Sequence, residues 1–180
     1  MDSFEFIGKS FNVKEQIFFV GGILLAIPRG CLPSQKVTEK LKRWLDAEGI
    51  DCVQLIGEFA RNTLFSYHVT LPSGTALTVF QPSDKKDSIT ISGTLFLSEE
   101  QTKRLRQKPR CVQEDTLSDL CFKLAPLDVE LTFEGGEIYR RIGINHQIFF
   151  DGLTKDRFFK AVSTVNRAYR LTEWILEQSI

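Results

Sequence analysis

Residues 64–97 read LFSYHVTLPSGTALTVFQPSDKKDSITISGTLFL, three β-rich runs separated by two short polar breaks. The first run, 64–71, is rich in β-branched and aromatic residues and ends at Pro72-Ser73-Gly74, a turn by composition. A second run at 76–80 stops at Pro82, Ser83 and Asp84. The third, 89–97, alternates: Ile89, Ile91, Gly93, Leu95 and Leu97 point one way, with Thr90, Ser92 and Thr94 the other. Strands joined by such short polar turns form an antiparallel meander, one face on a core and one nearer water.

Working outward, the meander is flanked by helical patterns. On its N-terminal side Ser34 can cap a helix of about fifteen residues, the ordinary length for a globular domain. Its apolar face carries Val37, Leu41, Trp44 and Leu45, its other faces carry Lys36, Lys40, Lys42, Arg43 and Asp46, and Gly49 supplies the stop. On the C-terminal side Ser98-Glu99-Glu100 opens a helix that runs into Pro109, and a second helical stretch covers 115–124. Runs at 129–133 and 138–150 form a hairpin around Gly135-Gly136. Asp151 or Thr154 then caps a long final helix to about 178, with Phe158, Val162, Val165, Tyr169, Thr172 and Leu176 as its core stripe.

The expected architecture is α+β: an antiparallel sheet of about five strands with helices packed on one face, in the order α-β-β-β-α-(α)-β-β-α. Residues 34–180 read as a single domain, and 1–33 as a separate apolar N-terminal segment. In that segment the run IFFVGGILLAI at 17–27 is about half the ~20 residues a membrane span needs. Lys9 and Lys14 precede it as they would in a signal peptide. Against that, Asp2, Glu5 and Glu15 offset them, and Pro28-Arg29-Gly30-Cys31 is no A-x-A-like cleavage site. The alternatives are a short apolar strand or helix broken at Gly21-Gly22, an exported or membrane-associated segment, and a start residue placed too early.

Composition narrows the function classes. Lys plus Arg and Asp plus Glu are both 23, so a globally basic nucleic-acid binder is excluded. Cys31, Cys52, Cys111 and Cys121 form no CxxC pair and lie far from His68 and His146, so neither a zinc site nor any other cofactor is expected. Without a disulfide framework, the cysteines read as small residues in or near a core in a reducing, cytoplasmic setting.

The element order, and Asp151-Gly152-Leu153-Thr154 entering the long final helix, resemble the small α+β fold of type III secretion chaperones and YbjN-like sensory-regulator proteins, a group with uncharacterised prokaryotic members. The likeness covers roughly 34–178. It implies a protein-binding module, often homodimeric, with no catalytic residues to carry over. Two departures stand beside it: secretion chaperones tend to be acidic where this chain is neutral, and they lack an apolar leader.

Among individual residues, Lys103, Arg104, Arg106, Lys108 and Arg110 form the densest basic cluster. It reads either as a solvated face beside Glu99, Glu100, Glu114 and Asp115 or as a nucleic-acid patch. The carboxylates Glu58, Glu130, Glu134, Glu137 and Asp151 are scattered, and no nucleophile elbow or phosphate loop occurs, so no enzyme is expected. His68 and His146, both in strand patterns, are expected to be structural. The pairs Phe149-Phe150 and Phe158-Phe159 put adjacent rings on different faces of their elements, so one of each needs a cover outside the core. Phe159 with Tyr169 or Trp174 is the expected interface patch. The functional expectation is a non-enzymatic, chaperone-like protein-binding module, a homodimer without nucleic acid or membrane as partner. The alternatives are a nucleic-acid-associated regulator using 103–110 and a membrane-associated or exported domain using 17–27.

Overall fold

The structure, a computed structural model, describes residues 33–56, 62–135 and 140–179, and the backbone of 19–20 and 23–24. The chain divides into two compact units, Met1–Cys31 and Leu32–Ile180. In the first, β1 (Phe19–Val20) pairs antiparallel with β2 (Ile23–Leu24), Phe19 opposite Leu24 and Val20 opposite Ile23. The apolar run thus contains strand pairing on both sides of the glycine pair. The rest of that run lies outside the described residues, as do Cys31, Glu58 and Glu137.

The second unit opens with α1 (Pro33–Ala47), which buries Leu41 and Leu45 completely. It ends as the glycine predicts: Gly49 takes a φ of 64°, and the Ile50 amide reaches back to the Leu45 carbonyl at 3.0 Å. Four strands follow, β3 (Asp51–Gln54), β4 (Thr63–Thr70), β5 (Ala76–Pro82) and β6 (Ser88–Phe96). Then come α2 (Glu99–Gln107), α3 (Arg110–Leu124), a 3-10 turn at Ala125–Leu127, β7 (Glu130–Glu134), β8 (Arg141–Phe149) and α4 (Lys155–Ser179). The order within the sheet is β3-β4-β5-β6-β8-β7, with every neighbouring pair antiparallel.

The α+β architecture with helices beside an antiparallel sheet is therefore the one the sequence predicts, with six strands instead of about five. The extra strand is β3, an edge strand of four residues that is mostly exposed and so shows no apolar alternation. Helix α3 also starts earlier than expected, directly after Pro109, because proline's fixed φ suits the residue preceding a helix. Of the two proposed caps for α4, Thr154 is the one used: its hydroxyl accepts from the Arg157 amide at 3.2 Å.

One face of the sheet carries the core. Val69, Leu77, Val79, Ile89, Ile91, Ile142 and Ile144 meet Leu41 and Leu45 of α1, Leu120 of α3, and Phe158 and Val165 of α4. Each such side chain removed from water contributes about 1.5–3 kcal/mol. Helix α4 lies close over the sheet at Gly93, where a Cβ would sit 3.1 Å from the Tyr169 ring and 3.4 Å from Val165. Burial with the α4 stripe follows the sequence pattern at Phe158, Val162, Val165, Thr172 and Leu176, while Tyr169 is half-buried. No helix among the described residues is long and apolar enough to cross a membrane.

Candidate protein-binding surface

Strand alternation turns the other half of the sheet's side chains away from the helices. The middle of that second face is polar: Ser66, Thr78, Ser92, Thr94, Thr132 and Asn145 line a shallow groove of about 330 Å3 with half-buried Phe80 beside them. Asn145 Nδ2 donates to Thr132 Oγ1 at 3.4 Å. The absence of a Cβ at Gly143 lets Thr132 lean across, since a methyl there would collide with its hydroxyl. The margins are apolar and open. Phe96 is 72% exposed, Val53 64%, Phe149 53% and Leu64 49%. Arg141, opposite Phe96 on the neighbouring strand, lies 5.8 Å over its ring and pairs with Glu134 at 2.9 Å. No described helix covers this face, so four large apolar side chains stand in water around a hydroxyl-lined centre.

The basic segment is largely occupied with its own helices. Arg104 pairs with Glu100, Arg110 with Glu114 at 2.9 Å, and Lys108 donates to the Ser179 carbonyl at the end of α4. Lys103 and Arg106 are exposed. Arg106 and Arg110 border a cavity of about 650 Å3 whose apolar wall includes Leu105, Leu117 and Leu176.

Of the three aromatic interface candidates, Phe159 is half-buried, packed edge-on against Phe158 with centroids 5.1 Å apart and Lys155 above it. Tyr169 is packed on Gly93, and burial, reinforced by Glu173, raises its phenol above the ordinary value. Trp174 is 53% exposed, with Lys123 of α3 5.7 Å from its ring. Phe159 and Tyr169 belong to the margin of the core, and Trp174 alone stands out.

Cys111 and Cys121 are exposed on α3, contrary to their expected place in or near the core, because that helix buries only Leu120 and Leu124. Cys52 is half-buried on β3, and burial, then Asp46, raises its thiol. No group of three metal-ligating side chains occurs among the described residues. His68 is half-buried on the open face, and His146 Nδ1 lies 2.8 Å from the Asp128 carbonyl on the helical side.

Sequence reasoning flagged Phe149 through its pairing with Phe150 but left out Val53, Leu64 and Phe96. The signal for Phe96 was present, since it continues the Thr90, Ser92, Thr94 alternation. Val53 lay on the strand that was not recognised.

Solved structures share the fold, the following two among them. An uncharacterized protein from Methanothermobacter thermautotrophicus is 27% identical with a TM-score of 0.69, over 78% of this chain and 96% of its own. A chain of the ExsC–ExsE complex is 13% identical with a TM-score of 0.50, over 79% of this chain and 96% of its own. No curated protein matches. Residues 37–176 match the family described as "Uncharacterized conserved protein (DUF2299)", and this chain belongs to that family.

Proposed function

We propose that the chain is a non-enzymatic, chaperone-like protein-binding module that receives its partner on the open face of the sheet. The observation that carries this reading is the ring of exposed Val53, Leu64, Phe96 and Phe149 around a polar centre. Apolar anchors about a hydrogen-bonding middle suit a protein ligand, because rings supply buried area and hydroxyls and amides fix orientation. Likeness in fold to a chain of the ExsC–ExsE complex supports the same direction. Self-association and a cytoplasmic setting go with it, and the free thiols of Cys52, Cys111 and Cys121 agree with a reducing compartment.

The test is photo-crosslinking in the source cells from position 94 on the open face, with position 177 on α4 as the comparison. A partner joined from position 94 alone is then purified and its affinity measured by titration calorimetry. The F96D/F149D chain should bind it at least about tenfold more weakly, a loss of about 1.4 kcal/mol. Equal crosslinking from both positions, or unchanged affinity in the double variant, would remove the open face from this role.

A further inference from the structure

Several described cations are held by a neighbouring carboxylate and others are not. Arg104, Arg110, Lys123, Arg141, Lys155 and Arg170 each have a carboxylate partner. Three others on α4, Arg157, Lys160 and Arg167, have none, and all three line one cleft. Spacings of three, four and three residues put Arg157, Lys160, Thr164 and Arg167 on a single helix face. The cleft lies between that face, the Ala125–Leu127 turn and the end of β8, and measures about 520 Å3. Small-molecule sites commonly have volumes of about 300–1,000 Å3.

From this the geometry points to a binding site for a small phosphate monoester, its phosphate held by Arg157 and Lys160 and its organic body lying along the cleft toward Thr164 and Arg167.

Two features show the cleft to be built around these groups. Arg157 folds back over Gly152, Nη1 lying 3.5 Å from the Gly152 carbonyl, in space that a Cβ at Gly152 would take. His146 is fixed by Asp128, whose φ of 52° is the only positive value at a described residue other than glycine. The Asp128 carbonyl can only accept, so His146 Nδ1 carries the proton of that 2.8 Å contact. Nε2 is the ring nitrogen left for a ligand.

The donor set selects the ligand class. The Arg157 guanidinium and the Lys160 ammonium, one helical turn apart, suit a compact anion that gathers its charge on three terminal oxygens, as a phosphate monoester does, better than the two-oxygen edge of a carboxylate. A nucleic acid fits less well. Asp128 and Asp151 also line the cleft, so three cations against two carboxylates leave one net positive charge, too little for a polyanion track. Ten residues of helix from Arg157 to Arg167 span about 15 Å, which is the upper bound on a ligand lying along that face.

The test is titration calorimetry of the full chain at low salt with inorganic phosphate, glycerol 3-phosphate and succinate. Glycerol 3-phosphate should saturate one site with a Kd of about 1 mM or tighter, and succinate should bind at least about tenfold more weakly. R157Q/K160Q should lose at least that factor, while R104Q/R106Q should bind as the unaltered chain does. G152A tests the same point without removing a charge: the fold has room once Arg157 swings away, so binding should weaken at an unchanged melting temperature. The proposal is overturned by absence of saturable phosphate binding, by equal affinity for succinate, by full affinity in R157Q/K160Q, or by equal loss in R104Q/R106Q. Phe149 borders both the cleft and the open face, but R157Q/K160Q alters neither it nor Phe96, so partner binding at the open face stays intact in that variant and the two readings fail separately.

Discussion

At the scale of single residues, burial sets both titration and packing. Tyr67 is 5% exposed, and burial, then Cys52 and Asp46, raises its phenol above 10.0. Below that value the phenol is neutral in folded and unfolded chains alike, and it makes no pH-dependent contribution. As pH rises past 10.0 the unfolded tyrosine ionises first, so folding stability falls until the folded group titrates as well. Tyr169 behaves in the same sense. Urea denaturation from neutral to strongly alkaline pH should therefore show a decline that is shallower in Y67F/Y169F. Gly93 is the second sensitive point. Its hypothetical Cβ would meet Tyr169 at 3.1 Å and Leu77 at 3.2 Å, so G93A should destabilise by about 1–3 kcal/mol through overpacking. A denaturation midpoint equal to that of the unaltered chain would show that α4 can ride up at no cost. The core-facing direction of Gly93 was legible from its place between Ile91 and Leu95. The exposure of Cys111 and Cys121 was not, because α3 lacks a continuous apolar stripe from which a buried side could be read.

Among elements, α2 is the one most dependent on local chemistry. It buries only Thr102 and Leu105, and its first turn is closed by a reciprocal box. The Ser98 hydroxyl accepts from the Gln101 amide at 3.1 Å, and the Gln101 side chain accepts from the Ser98 amide at 2.9 Å. S98A should cost about 1 kcal/mol, typical of a lost N-cap. With so little burial to compensate, the loss should show as faster amide exchange across Glu99–Gln107 while the sheet keeps its protection. Sequence reasoning places this helix well, since Ser98 and the two glutamates are local signals. It fails at β3 for a related reason: Asp51–Gln54 is defined by pairing with β4, Val53 opposite His68, and carries no periodic signal of its own. Where an element is specified by its own caps and stripe it is legible, and where its neighbour specifies it, it is not.

For the whole molecule, the division of the sheet into a helix-covered and an open face is the property with consequences for association. If the open face also joins copies of the chain, mass measured by light scattering should rise with concentration for the full chain and stay at the monomer value for F96D/F149D. Those side chains are 72% and 53% exposed, so the double variant should keep the same melting temperature within a few degrees. The one-sided helical layer follows from the order of strands and helices, and was readable. The apolar margin of the open face was half readable: Phe149 declared itself by its neighbour, Val53 did not. The pairing of β6 with β8 has a further consequence during synthesis. Strands β3 to β6 are sequential neighbours and can zip together as they emerge, but Ser88 awaits Phe149 and Phe96 awaits Arg141. Until the ribosome has delivered that later stretch, ITISGTLF at 89–96 presents an unpaired β-rich edge to every other nascent chain nearby. Translation speed between these two strands, rather than final stability, should then govern how much of the protein is recovered soluble.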